Sequence, residues 1–296
     1  MEERISFHDQ ISRNKLKSVF LILIVFVVLI CLGYVIGLVA GPDYFIIIMI
    51  ISIIFSLSYI LISYYNSDKI ALASVNAKPA SETQYRQYHN VVEGLCLASG
   101  MPKPRLYIME NSEINAFASG RDPEHSVICV TTGSLNKLDK QELEGVIGHE
   151  LSHIASYDIR FMTLVAVMVG MVSIISEIFL RSLWFKSGSR DDSKGNAIFM
   201  IIGILLAILA PIVVQLVQLS ISRKREYSAD ASAVKFIRSP TGLTKALKKI
   251  RDEHVSTQEV KKINKAVAPL FISNPFKGAF STHPPIEKRI AILERM

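Results

Sequence analysis

From Ser18 to Ala40 the chain reads SVFLILIVFVVLICLGYVIGLVA, a run without a charged side chain. About 23 residues at about 1.5 Å each reach across a hydrocarbon core of about 30 Å. The backbone has no water to bond at that depth, so such a run has to be helical. Gly41-Pro42-Asp43 interrupts it, and a second uncharged run follows from Tyr44 to Tyr65, which makes the pair a helical hairpin with a short outer turn. The first run is too long for the apolar part of a cleavable signal, and no small-residue cleavage site separates it from the second.

Two later apolar runs, Phe161 to Leu180 and Ala197 to Ser220, bracket the polar stretch RSLWFKSGSRDDSKGN. Both are candidate spans, giving about four transmembrane helices in all. Glu177 in the first and Pro211, Gln215 and Gln218 in the second also fit helices buried in protein or entering the bilayer partway. Arg4, Arg13, Lys15 and Lys17 precede the first span while the turn at Gly41 to Asp43 has no cation, which puts the N-terminus, and the chain from Asn66 onward, in the cytoplasm. Arg223, Lys224 and Arg225 after the last run agree, whereas Arg181, Lys186, Arg190 and Lys194 in the supposed outer loop run against the rule. The expected setting is a multi-pass protein of the plasma membrane with its polar domain in the cytoplasm.

Composition supports a lipid environment, with 50% hydrophobic residues in 296. The net charge of +7 lies largely beside the apolar runs, so it reads as topology, and the lipid bilayer rather than nucleic acid is the expected partner. Cys31, Cys96 and Cys129 are widely separated and without CxxC spacing, which suggests neither a disulfide framework nor a thiolate metal site.

The polar parts read as α+β. Ser81-Glu82-Thr83-Gln84 has the form of a capping box opening a helix that stops near Gly100. PRLYIME, INAFAS and HSVICVTT read as three short strands. Asp139 with Glu142 opens another helix, and GHELSH, Gly148 to His153, falls inside it. Helical periodicity returns through SRKREYSADASAVKFI and TGLTKALKKI, and a last helix is expected to begin at Pro284-Pro285. The implied organisation is a membrane hairpin at 1–65, a first part of the polar domain at 66–157, a second hairpin at 158–220 and the rest of the domain at 221–296.

On a helix, residues four apart share a face, so His149 and His153 can converge on one ion while Glu150 is turned about 100° aside, within reach of a water on the metal. Two histidines on a solvated helix would give the same letters, but Val146, Ile147, Leu151 and Ile154 make the helix apolar. A catalytic zinc needs a third protein ligand and an open position. Positions 156 and 159 hold Ser156 and Ile159, so the metzincin pattern is absent. RKREYSAD offers Glu226 as a ligand, with Asp230 one turn on to accept the N–H of a ligand histidine. The same acids would also suit a charged juxtamembrane helix that balances Arg223 to Arg225. NAFASG is expected to form an edge strand whose backbone pairs with an extended substrate, with Asn115 clamping a peptide carbonyl and Ala116 and Phe117 beside it. The alternative is turn chemistry at Asn115 with Phe117 in the core.

GHELSH, SRKREYSAD, NAFASG and STHPP, in this order and with membrane hairpins before and between them, closely resemble the HtpX-type integral-membrane zinc metalloproteases, relatives of the CAAX prenyl proteases. The resemblance covers nearly the whole chain. It implies a gluzincin-like catalytic fold, one zinc ion held by His149, His153 and Glu226, and Glu150 as the catalytic base. It also implies a contribution to the oxyanion from His283 and Arg289 in the terminal motif. The activity it implies is endopeptidase action on misfolded or damaged membrane proteins at the cytoplasmic face, in the service of protein quality control. Competing readings are a membrane scaffold or binding protein with a non-catalytic zinc site, for which Glu150→Gln would leave function intact, and a CAAX-type peptidase. The apolar runs closely flank both GHELSH and Glu226, so polypeptide substrates are expected to reach the site from the membrane.

Overall fold

A computed structural model of the chain describes residues 7–167, 223–253, 270–273 and 284–296. The expected second hairpin lies outside the described residues beyond position 167, and so does His283.

Helix α1 (Phe7–Ala40) and helix α2 (Pro42–Tyr65) form an antiparallel pair. They approach closely at Gly33, where an added Cβ would sit 2.0 Å from Ser52 Oγ. Small residues permit such contact between apolar helices. Their outer faces are bare: Val19, Phe20, Leu23, Ile46, Ile50 and Ile54 are each more than half exposed. Only 11% of the most apolar window of either helix is buried in the protein. An apolar surface of this extent is stable in lipid and not in water, so the chain is a membrane protein. With 34 residues, α1 is longer than a span requires. Its N-terminal turns pack on the globular part, burying Asn14, Ser18 and Leu21.

After α3 (Ser67–Ser74), the globular part is built on a sheet of order β1-β2-β4-β3. The strands are β1 (Lys78–Pro79), β2 (Arg105–Met109), β3 (Ala116–Gly120) and β4 (Ser126–Thr131). The β2–β4 pair is parallel and the others antiparallel, with Ala116 opposite Val130 and Gly120 opposite Ser126. Helix α4 (Arg86–Ser99) and helix α6 (Lys140–Ala155) cover one face, while α5 (Thr132–Lys137) links β4 to α6. Val146, Ile147, Leu151 and Ile154 of α6 are fully buried against the sheet and α8 (Thr241–Glu253). Helix α7 (Arg223–Ile237) crosses α6, and α9 (Ile286–Leu293) closes the group.

The start of α6 is fixed by its capping box: Asp139 accepts from Glu142 N at 2.9 Å, and Glu142 accepts from Asp139 N at 2.8 Å. The signal at Ser81 behaves differently. Its hydroxyl pairs with Thr83 Oγ1 at 2.9 Å, residues 81–85 close a turn through Tyr85 N on Ser81 O, and α4 begins only at Arg86. That helix ends at Gly100 in the left-handed conformation, φ 70°.

Candidate metal centre

His149 and His153 project from one face of α6 with their Nε2 atoms 3.2 Å apart. Glu226 reaches them from α7, its Oε2 lying 3.6 Å from His149 Nε2 and its Oε1 3.7 Å from His153 Nε2. The α6–α7 crossing is close because Gly148 has no side chain: a Cβ there would meet Ile237 Cδ1 at 2.8 Å. All three side chains are buried, and their ligand atoms lie within 4.8 Å of one another.

The other ring nitrogens fix the tautomers. His149 Nδ1 lies 2.9 Å from Asp230 Oδ1, and His153 Nδ1 lies 3.3 Å from Asp158 Oδ2. A carboxylate only accepts, so each Nδ1 keeps its proton and each Nε2 turns a lone pair inward. Two lone pairs facing each other beside a buried carboxylate are stable only with a cation between them. Where no metal is bound, a proton can take that place at His149: burial and the Arg289 guanidinium oppose charge on its ring, yet Asp230 and Glu226 outweigh them and raise its pKa to about 9. Ligand atoms about 2.0–2.2 Å from a tetrahedral zinc stand about 3.3–3.5 Å apart, close to the 3.2 Å between the two Nε2 atoms and the 3.6 Å from His149 Nε2 to Glu226 Oε2, while the 3.7 Å contact of His153 is to the other carboxylate oxygen. Two imidazoles and one carboxylate also match the donor set of a catalytic zinc.

Glu150 follows His149 and is itself buried. Burial drives its pKa up; His149, His153 and a backbone hydrogen bond at Ala118 pull the other way, and the balance remains above the ordinary carboxylate value. A carboxylate shifted upward beside a metal centre suits a group that both takes and returns a proton.

Each histidine-bound carboxylate has its own arginine. Arg289 meets Asp230 at two points, Nε on Oδ2 at 2.9 Å and Nη2 on Oδ1 at 2.6 Å. Burial favours the neutral acid, but the Arg289 charge and the His149 and Arg289 hydrogen bonds hold Asp230 down to about 2. Arg225 Nη1 lies 3.3 Å from Asp158 Oδ1, and Asn14 Nδ2 lies 2.6 Å from the same oxygen. Burial likewise opposes ionisation of Asp158, while His153 and Arg225 lower its pKa. Neither Asp158 nor Asn14 is singled out by the sequence; the available signal was the acid five residues beyond the second motif histidine.

The structure brings together His149, Glu150, His153, Glu226, Asp230 and Arg289. Arg289 pairs with Asp230, and its Nη1 also lies 3.3 Å from the Ile272 carbonyl and 3.6 Å from Glu226 Oε2. The residues expected to bind substrate are engaged by the chain itself. Phe271 pairs antiparallel with Phe117, and Ile272 N donates to Ala116 O at 2.9 Å. The Asn115 amide donates to Ser273 O at 2.9 Å and accepts from Ser273 N at 3.3 Å. Phe117 is fully buried with its ring against Phe271. The outer edge of β3 therefore carries residues 271–273 instead of standing open at this point.

A helix pair carrying a buried His–His–Glu cluster, beside a small sheet and attached to an apolar hairpin, has the parts that a membrane-associated metallopeptidase requires. Residues 82–296 match the model of Peptidase family M48, and the chain belongs to that family. It is 48% identical over 250 residues to a "Protease HtpX homolog" of Thermoanaerobacter pseudethanolicus, covering 82% of this chain and 83% of that one. A "Protease HtpX homolog" of Dictyoglomus thermophilum is 41% identical over 295 residues, covering 98% and 95%. The fold is similar to that of S. mikatae Ste24p in its crystal structure, with a TM-score of 0.52 and 18% identity over 95% of this chain and 65% of that one. The chain is an HtpX-type metalloprotease, a hydrolase of peptide bonds.

Proposed function

We propose that the protein is a zinc-dependent endopeptidase that cleaves misfolded or damaged membrane proteins at the cytoplasmic face of the plasma membrane. The observation that carries this reading is the buried convergence of His149, His153 and Glu226 with Glu150 alongside. The two Nε2 atoms and the Glu226 carboxylate would hold the ion. A bound zinc supplies Lewis acidity and an acidified water at neutral pH.

The chain's residues do the rest. Glu150 takes a proton from the attacking water and returns it to the leaving amine. Asp230 and Asp158 keep both ring N–H groups pointing away from the ion, so neither histidine can turn. Backbone pairing along β3 orients an extended polypeptide without reading its side chains, and such a strand takes the place of residues 271–273. Asn14 touches the turn after the HExxH helix and stands one turn before the apolar run at Ser18, which supports a centre near the bilayer surface. Proximity to lipid favours membrane-protein segments as substrates. The cationic N-terminal flank supports the cytoplasmic orientation.

The test compares detergent-purified wild type with Glu150→Gln on an unfolded membrane-protein substrate, with metal content measured in both. Both are expected to retain zinc while cleavage by the variant falls by about 10²–10⁴-fold. Equal cleavage rates would refute the assignment of Glu150.

A further inference from the structure

We propose that Asp158 is a positioning residue for His153, and that Asn14 of the first membrane helix holds Asp158 in place together with Arg225. The membrane anchor is then a working part of the metal centre. The inference rests on reading His153 as a ligand.

The two histidines are backed in parallel ways. His149 leans on Asp230, which Arg289 grips; His153 leans on Asp158, which Arg225 grips. The second arrangement has an additional member. Asn14 Nδ2 donates to Asp158 Oδ1 at 2.6 Å and to Ser156 O at 3.0 Å, so one amide group binds two acceptors in the turn that follows His153. Asn14 and Asp158 are both buried, 4% and 3% exposed, and a buried amide or carboxylate is tolerated only when its bonds are made.

The backbone delivers Asp158 to this position through an unusual residue. Tyr157 has φ 59°, in the left-handed region that a non-glycine residue enters at a cost. The reversal brings Asp158 back under His153 five residues after it. Lys15, also on α1, places its ammonium 4.3 Å above the Tyr157 ring, so the membrane helix contacts the reversal as well as the carboxylate. Arg225 immediately precedes Glu226 on α7. One carboxylate thus ties together the segment carrying His153, the segment carrying Glu226 and the anchor.

The chemistry predicts a specific defect. An asparagine at 158 can turn its NH2 toward His153 Nδ1, which favours the tautomer protonated at Nε2 and removes the inward lone pair. The test uses the full-length protein in detergent: zinc affinity by chelator competition, and the visible spectrum of the cobalt-loaded form at saturation, for wild type, Asp158→Asn, Asn14→Ala and His153→Ala. Asp158→Asn is expected to lose about 10–100-fold in zinc affinity and to change the cobalt spectrum. Asn14→Ala is expected to shift both in the same direction by a smaller factor, and it carries the test should Asp158→Asn fail to fold. Wild-type affinity and an unaltered cobalt spectrum in folded Asp158→Asn or Asn14→Ala, with His153→Ala impaired, would overturn the proposal and leave the ligand reading intact. Wild-type affinity in His153→Ala would overturn both.

Discussion

Arg289 and Asp230 form a two-point ion pair at 2.9 and 2.6 Å in which neither side chain is more than 2% exposed. Removing one member leaves the other charged and buried. Arg289→Ala is expected to destabilise the protein by about 3–5 kcal/mol, read as a lowered melting temperature in detergent. Arg289→Lys is expected to recover only part of the loss, because an ammonium cannot bond both carboxylate oxygens in the same planar way. Full stability in Arg289→Ala would contradict the pairing.

Acid should weaken the same pair. The Asp230 pKa is held near 2, below the ordinary value of 3.8, so its contribution is fully present above about pH 4 and is lost as the pH falls toward 2. The difference is worth about 2 kcal/mol as an order of magnitude. Melting temperatures of wild type and Asp230→Asn are expected to differ at pH 6 and to converge as the pH drops below about 4. A gap that persists unchanged at pH 2 would count against it.

Chelation should remove activity and stability together. An ion bound only by the folded state adds about 2.7 kcal/mol at a hundredfold excess over its dissociation constant. Treatment with a strong chelator is therefore expected to abolish cleavage and lower the melting temperature, with zinc restoring both. Undiminished cleavage in the chelated protein would argue for a reaction without metal.

The strand lying on β3 should compete with substrate. Ser273 N donates to Asn115 Oδ1 at 3.3 Å, and Ser273→Pro removes that donor. One hydrogen bond is worth about 1 kcal/mol, so the KM for an extended peptide is expected to fall roughly fivefold with kcat little changed. A KM that stays the same or rises would show that substrate does not use this edge.

Local signals carried much of the architecture. The membrane hairpin was legible because its runs leave no alternative to helices, and α6 because its capping box and apolar face coincide. Strands β2, β3 and β4 emerge from their apolar runs, while two-residue β1 exists only through pairing with β2. At Ser81 the letters of a capping box were present, but the hydroxyl found Thr83 instead. In the site, a four-residue spacing on one helix sufficed to suggest His149 and His153. Asp158 and Asn14 were hidden because their bond spans 144 residues and depends on a left-handed Tyr157 that no propensity favours. The bond from Asn115 to Ser273, 158 residues away, likewise has no signature in sequence.

The central claim is that His149, His153 and Glu226 hold one catalytic ion. Its most direct test is the metal content of the purified full-length protein, measured by elemental mass spectrometry for wild type and Glu226→Gln. About one zinc per chain is expected in wild type and well under half of that in the variant. Equal metal in the two proteins, or none in wild type, would contradict the account.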